Sequence, residues 1–193
     1  MIRTVEPRSD ICAAILCGGA SRRMGVPKGG LLLPDGRSMI ETIRDVMELI
    51  CEQVVLIGNP HGLRGHAVVA DERPDCGPLA GIEAVLRSGT ANRYLVVPWD
   101  MPASAPSALQ RLMEVSGAPM VHFDSQPLPC LVDASLAHLT TELLEQGVRA
   151  LRAWQEAVGA EQIDPEGATF EDADTPEEFT MLWRRFAEEA SEG

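Results

Sequence analysis

The chain has 193 residues, 45% of them hydrophobic and 23% charged, enough for one domain with a sizeable core. Its formal net charge of −13 argues against general nucleic-acid or anionic-membrane binding, and no apolar run approaches the roughly 20 residues of a membrane span. Five scattered cysteines without CxxC spacing, four scattered histidines and no signal-peptide pattern at the N-terminus argue against a disulfide framework or a strong metal cluster, and point to the reducing cytoplasm.

In chain order, Ile11–Leu16 (ICAAIL) is a continuous apolar run stopped by glycines, the pattern of a strand buried on both faces. Beyond the glycine-rich loop, Pro34-Asp35-Gly36 is a turn signal, and Ser38 with Glu41 predicts a capping box. The helix that follows carries Ile40, Ile43, Met47 and Ile50 on one face. Val54–Gly58 and Ala67–Ala70 read as two further buried strands, separated by the polar NPHGLRGH. Leu79–Arg87 reads as a helix and Tyr94–Asp100 as a fourth strand. Ala105–Val115 is predicted helical, and Met120–Phe123 and Pro129–Asp133 are short strands. Leu136–Gln146 and Leu151–Val158 read as helices. Last comes a helix with Thr175 as N-cap, Pro176 at its first position and Glu178 closing a capping box. Phe179, Leu182, Trp183 and Phe186 make its apolar stripe, a core face rather than a ligand platform. The alternation predicts an α/β fold, a mostly parallel sheet with helices on both faces.

Three segments carry candidate chemistry. The first, LCGGASRRMGVPKGG, follows the first strand, where ligands of parallel sheets collect. Adjacent glycines let a phosphate approach backbone N–H groups, and Arg22, Arg23 and Lys28 would neutralise it. Neither GxGxxG nor GxxxxGK[ST] is present, so glycine alone reads equally as a tight turn with solvated arginines. Lys28 shifts that balance. It is the only lysine, all other basic residues among the 16 Lys+Arg being arginine, and a compact ammonium suits a phosphate oxygen in a narrow loop better than a planar guanidinium. Charge distribution agrees: residues 1–100 carry 11 basic and 12 acidic side chains, residues 101–193 carry 5 and 17. A polyanion site therefore belongs to the first half.

The second segment is ADERPDCGPLAGIEAVL, with Asp71 at the end of the third strand. Taken alone, Asp71 is more readily a turn or cap residue than a ligand. The third is LVVPWDMP, where Asp100 ends an apolar strand. A carboxylate there is well placed to hold Mg²⁺ on nucleotide phosphates, or is equally a solvated loop residue.

Together these segments resemble the molybdenum cofactor guanylyltransferases, within the wider nucleotidyltransferase superfamily. The family's LAGGxSxRMGxxK is read here as LCGGASRRMGVPK, its D…GPLAG as DERPDCGPLAG, and its P-x-D-x-P as PWDMP. QPLPCLV looks like its xPLxALY-type strand, and DADTPEEF is similar to its closing N/D-x-N/D-TPEE element. The order covers nearly the whole chain.

The resemblance implies a single Rossmann-like, three-layer αβα domain over residues 1–193, related to the nucleotide-diphospho-sugar transferases. Its nucleotide half would be about 10–102 and its acceptor half about 103–190. It implies transfer of GMP from GTP to the terminal phosphate of molybdenum-bearing molybdopterin, with Mg²⁺ and release of pyrophosphate. It also implies transient contact with cofactor-synthesis or molybdoenzyme partners. Carried onto this sequence, Leu16, Cys17, Gly18 and Gly19 line the nucleotide site, Lys28 contacts phosphate, and Asp100 binds Mg²⁺. Asp71 and Gly81 shape the nucleotide or cofactor side. Asn59 is the asparagine after the second strand, with Ile57 the alternative register. Arg22 and Arg23 would meet the pyrophosphate.

Cys17 replaces the family's usual alanine, Val26-Pro27 replaces a pair in which many members have aspartate before the lysine, and Asp172 and Asp174 replace closing asparagines. CTP therefore stays open beside GTP, although Gly18-Gly19 leans toward guanine. A sugar or alcohol phosphate acceptor, and a non-catalytic nucleotide-binding or cofactor-handover protein, are the competing readings. The missing GxGxxG speaks against an NAD-binding dehydrogenase domain.

Overall fold

The computed structural model describes residues 6–17, 32–33, 36–59, 67–73, 76–101, 106–166, 168, 170–171, 173, 175 and 177–184. Its first strand, β1 (Arg8–Leu16), starts three residues before the apolar run. Polar residues 8–10 hid that start from the sequence pattern, but Arg8 N–H donates to Ile50 O at 2.9 Å and Arg8 pairs with Cys51 in register.

Gly36, at φ +86°, donates its N–H to Leu33 O, closing the expected turn; Pro34 and Asp35 lie outside the described residues. Helix α1 (Met39–Glu48) then begins on the predicted capping box. Ser38 Oγ accepts from Glu41 N–H at 3.2 Å, and Glu41 Oε2 accepts from Ser38 N–H at 2.7 Å. The Ser38 N–H bond is the main reason the Glu41 carboxyl ionises below its usual range. Ser38→Ala should lower stability by about 1 kcal/mol, read as a lower urea midpoint at unchanged slope. Ile40, Ile43, Met47 and Ile50 are buried, as their spacing predicts.

Strand β2 (Cys51–Ile57), strand β3 (Ala67–Val69), helix α2 (Pro78–Arg87) and strand β4 (Arg93–Pro98) follow. Strand β3 is not the buried strand expected. Among the described residues it pairs only with β2, at the sheet edge, and Val68 is 45% exposed. β4 stops at Pro98, two residues early, because Trp99 and Asp100 form a turn. The second half adds α3 (Pro106–Glu114), β5 (Met120–Phe123) and β6 (Cys130–Asp133). A short 3₁₀ turn then leads into α4 (Ala137–Glu145), followed by α5 (Leu151–Val158) and β7 (Glu161–Ile163). Sequence reading missed β7. Its Glu161 and Gln162 are exposed, so main-chain pairing with β5 defines it without an apolar pattern. A closing helix covers 177–184, and Thr175 and Glu178 form its capping box with bonds of 3.1 and 3.2 Å. Pro176 and Phe186 lie outside the described residues.

Among the described residues the sheet has seven strands in the order β3-β2-β1-β4-β6-β5-β7, all parallel except β6. Successive side chains of each strand enter opposite cores. Ile11, Ala13 and Ile15 join Leu95, Val97, Val121 and Phe123 beneath α1 and α3, with Phe170 and Phe179 completing that layer. Cys12, Ala14 and Leu16 join Tyr94, Val96, Cys130 and Val132 beneath α2, α4 and α5. The three-layer αβα arrangement expected from the alternation is present, and each core draws on both halves of the chain. No helix among the described residues is long and apolar enough to cross a membrane.

Candidate functional site

The strand order fixes where a ligand can sit. From β1 the chain moves outward to β2 and β3, then returns to pair β4 on the other side of β1. At such a reversal the connections leave the two strands in opposite directions, opening a crevice beyond their carboxyl ends. Here the reversal lies between β1 and β4. Leu16 pairs in register with both Ile57 and Pro98, and Trp99 N–H donates to Leu16 O at 3.4 Å. Trp99 is thus held beside Leu16, at the strand end after which the glycine-rich segment follows in sequence, and Asp100 comes next in the same turn. Asp100 is half-buried there. Its carbonyl accepts from Ala173 N–H at 2.8 Å, which brings Ala173 against the same turn.

Gly18, Gly19, Arg22, Arg23 and Lys28 lie outside the described residues, as do Asp172 and Asp174. Leu16 and Cys17 are buried at the strand end. Cys17 turns its side chain into the core below α1, and its N–H is taken by Ile57 O at 2.9 Å. Asn59 is exposed just beyond β2, whereas the alternative position, Ile57, is buried under α2. Gly81 sits where α2 crosses the ends of β1 and β2. A Cβ there would come within 2.9 Å of Ile57 Cγ2 and 3.0 Å of Leu16 Cδ2, so glycine sets how closely the helix approaches the sheet.

Asp71 is half-buried two residues past β3, and its Oδ1 accepts from Arg73 N–H at 2.9 Å, an Asx turn. This is the turn role that the sequence suggested for the residue alone. The structure adds a partner that sequence reading missed. Arg73 Nε donates to Glu83 Oε2 at 2.8 Å, and Glu83 is buried on α2. The bond to Glu83 is the main cause raising the Arg73 guanidinium pKa. A visible signal existed: Glu83 falls four residues after Leu79 and three before Leu86, on the apolar stripe.

One carboxylate and a triphosphate satisfy magnesium, which keeps several waters and needs one or two protein carboxylates. Asp100 at the crevice fits that requirement. Among the described residues no group of three or more His, Cys, Asp or Glu forms a self-sufficient metal cage. Nor do the four buried thiols suit nucleophilic work beside the crevice. Burial pushes Cys17 up to about 12, and likewise Cys51 and Cys130, with Cys12 at about 11. An unfolded thiol ionises near 9, so above that pH the native state binds more protons than the unfolded one. Stability from these four groups should be intact below pH 9 and fall as pH rises toward 11 and 12, seen as a lower urea midpoint at pH 10 than at pH 8. At neutral pH a thiol reagent should modify only the half-buried Cys76 until the protein is unfolded.

A mostly parallel sheet that reverses at a strand followed in sequence by a glycine-rich segment, with an aspartate just past the neighbouring strand end, is the arrangement of a nucleotide-binding α/β protein. Comparisons narrow the class. Residues 13–160 match the MobA-like NTP transferase domain. The molybdenum cofactor guanylyltransferase of Xanthomonas euvesicatoria pv. vesicatoria is 35% identical over 178 residues, 87% of this chain and 92% of that protein. The fold is shared with the molybdopterin-guanine dinucleotide biosynthesis protein A of Archaeoglobus fulgidus, with a TM-score of 0.71 at 22% identity over 91% of this chain and 98% of that one. It is shared too with the 2-C-methyl-D-erythritol 4-phosphate cytidylyltransferase of Thermus thermophilus, at TM-score 0.67 and 14% identity over 92% and 99%. The chain belongs to the MobA-like NTP transferase family, and it is a nucleotidyltransferase.

Proposed function

We propose that this nucleotidyltransferase moves GMP from GTP to the terminal phosphate of molybdenum-bearing molybdopterin and releases pyrophosphate. The observation that supports the reading is the β1–β4 reversal, which sets the turn carrying Asp100 beside the end of β1, where the glycine-rich segment follows in sequence. The guanylyltransferase names of curated relatives support guanine as the base and the pterin as acceptor. The fold alone does not choose the base.

The reaction needs little acid–base chemistry from the protein. A phosphate monoester has its second pKa near 6, so the pterin phosphate is already ionised at neutral pH. One of its oxygens attacks the α-phosphorus of GTP in line, the α–β bridging bond breaks, and pyrophosphate leaves. What remains for the chain is to align two polyanions and offset charge on the leaving group. Asp100 would hold Mg²⁺, which when bound neutralises phosphate oxygens. Lys28 would contact the same phosphates, and Arg22 and Arg23 the pyrophosphate. Leu16, Cys17, Gly18 and Gly19 would line the nucleotide, with Cys17 contributing main chain because its thiol is buried. Asn59, Asp71 and Gly81 would bound the nucleotide side, Gly81 through the close seating of α2. Residues of about 10–102 would hold nucleotide and those of about 103–190 the acceptor, within one domain in the cytoplasm, with transient contact to cofactor-synthesis or molybdoenzyme partners.

Pyrophosphate release measured with GTP and with CTP, each with and without molybdopterin, tests this reading. Release is expected only with GTP and the pterin together. Preference for CTP would move the assignment to the cytidylyl branch, and tight GTP binding without transfer to a handover protein.

A further inference from the structure

Glu83 puts a carboxyl group where α2 needs an apolar side chain. Only 4% of its side chain is exposed. Withdrawing a carboxylate from water is costly, and well-packed apolar residues often replace buried ion pairs without loss. Stability therefore does not account for a carboxylate at this position, whereas its partners suggest placement. Oε2 accepts from Arg73 Nε at 2.8 Å, in the connection that leaves β3. Oε1 accepts from Thr141 Oγ1 at 2.6 Å, on α4, with Arg87 Nη1 3.8 Å away. Arg73 in turn donates its N–H to Asp71 Oδ1, and its Nη2 lies 3.5 Å from Glu145 Oε1. One buried carboxylate thus receives a bond from the Asp71 connection and another from the second half of the chain.

We propose that Glu83 is a positioning residue for the nucleotide site. Through Arg73 it fixes the main chain of residues 71–73 at the carboxyl edge of the sheet, and through Thr141 it ties that edge to the acceptor half. The inference rests on the nucleotidyl-transfer reading above. Glu83 itself touches no substrate. It acts by holding Asp71 and its neighbours in the geometry that nucleotide binding uses, so its loss should weaken the nucleotide's grip more than the chemical step.

The test compares Glu83→Gln, Arg73→Met, Arg73→Lys and Thr141→Val in the full chain, at a temperature where circular dichroism finds each folded. Amide exchange at residues 71–73 is followed without nucleotide, and GTP affinity and turnover at saturating GTP are measured beside it. In Glu83→Gln and Arg73→Met the main-chain amide of residue 73 should exchange at least about tenfold faster and the Kd for GTP rise about tenfold, with saturated turnover within about twofold. Arg73→Lys should recover part of both effects, and Thr141→Val should fall between. Unchanged exchange at 71–73, or faster exchange with unaltered GTP affinity, overturns the proposal. Should Glu83→Gln fail to fold, Arg73→Met and Thr141→Val decide, because they remove donors and leave the carboxylate. If the unmodified protein binds no GTP, the functional reading fails instead, while exchange still decides whether Glu83 holds the connection.

Discussion

Asp100→Ala is expected to fold as the parent does and to lose about 10²–10³ in turnover, the usual consequence of removing one preorganised charge contact worth about 2.7–4 kcal/mol. The fold should survive because one structural bond at this position is main-chain and outlasts the substitution. Ala173 N–H donates to the Asp100 carbonyl, and alanine keeps that carbonyl. The neighbouring core contacts belong to Trp99 and Met101, both buried and both unchanged. Asp100→Asn separates shape from charge: it should be as inactive as the alanine variant if the carboxylate works by holding Mg²⁺. The magnesium concentration for half-maximal turnover should rise in both variants. Lys28→Ala is expected to lose a similar factor, and Lys28→Arg to stay poor because a wide planar fork replaces a compact ammonium. The double variant should lose less than the two single losses combined, since both groups would act on one triphosphate. Full turnover in Asp100→Asn would remove the metal role, and full turnover in Lys28→Arg the argument from the lone lysine.

The parts of this molecule that were legible in the sequence are those in which local chemistry and tertiary fate agree. ICAAIL is apolar at every position because β1 lies between two helical layers. Ser38 with Glu41 and Thr175 with Glu178 announced helix starts because the cap bonds are made within four residues. Elements defined by non-local pairing were hidden. AVV looks like a core strand, yet its place in the sheet order leaves it on an edge. EQI looks like a loop, yet β5 offers it a ladder. The candidate site divides along the same line. Asp100 could be singled out because an apolar strand points to it, and the sheet order brings that strand beside β1. Glu83 stood out only as a carboxylate on an apolar stripe, because its meaning depends on Arg73 and on Thr141, 58 residues away.

Trp154→Ala should produce the largest loss of stability, about 3–5 kcal/mol, the range for truncating a fully buried large aromatic. Trp154 is 0% exposed and packs in the core shared by α2, α4 and α5. Its Nε1–H donates to Thr140 Oγ1 at 3.1 Å, and that hydroxyl donates to Leu136 O at 2.8 Å. Alanine leaves a cavity and also leaves Thr140, itself fully buried, without the indole donor. For a chain of this length the loss corresponds to roughly 6–20 °C in Tm. Trp154→Phe should fall between, since it fills most of the space and lacks the donor. The variant also tests whether the two halves fold as one domain. Trp154 lies in the second half, whereas Trp99 lies at the crevice in the first, and the core around Trp154 includes Leu16, Ile82 and Val96 from that first half. In a Trp183→Phe background, the emission of Trp99 and the far-ultraviolet dichroism should therefore shift to the same lower midpoint. Emission that kept the parent midpoint while helical signal was lost earlier would mean that the nucleotide half folds without the acceptor half. Asp100 would then owe its setting to β1 and β4 alone, and the bond from Ala173 would be dispensable to it.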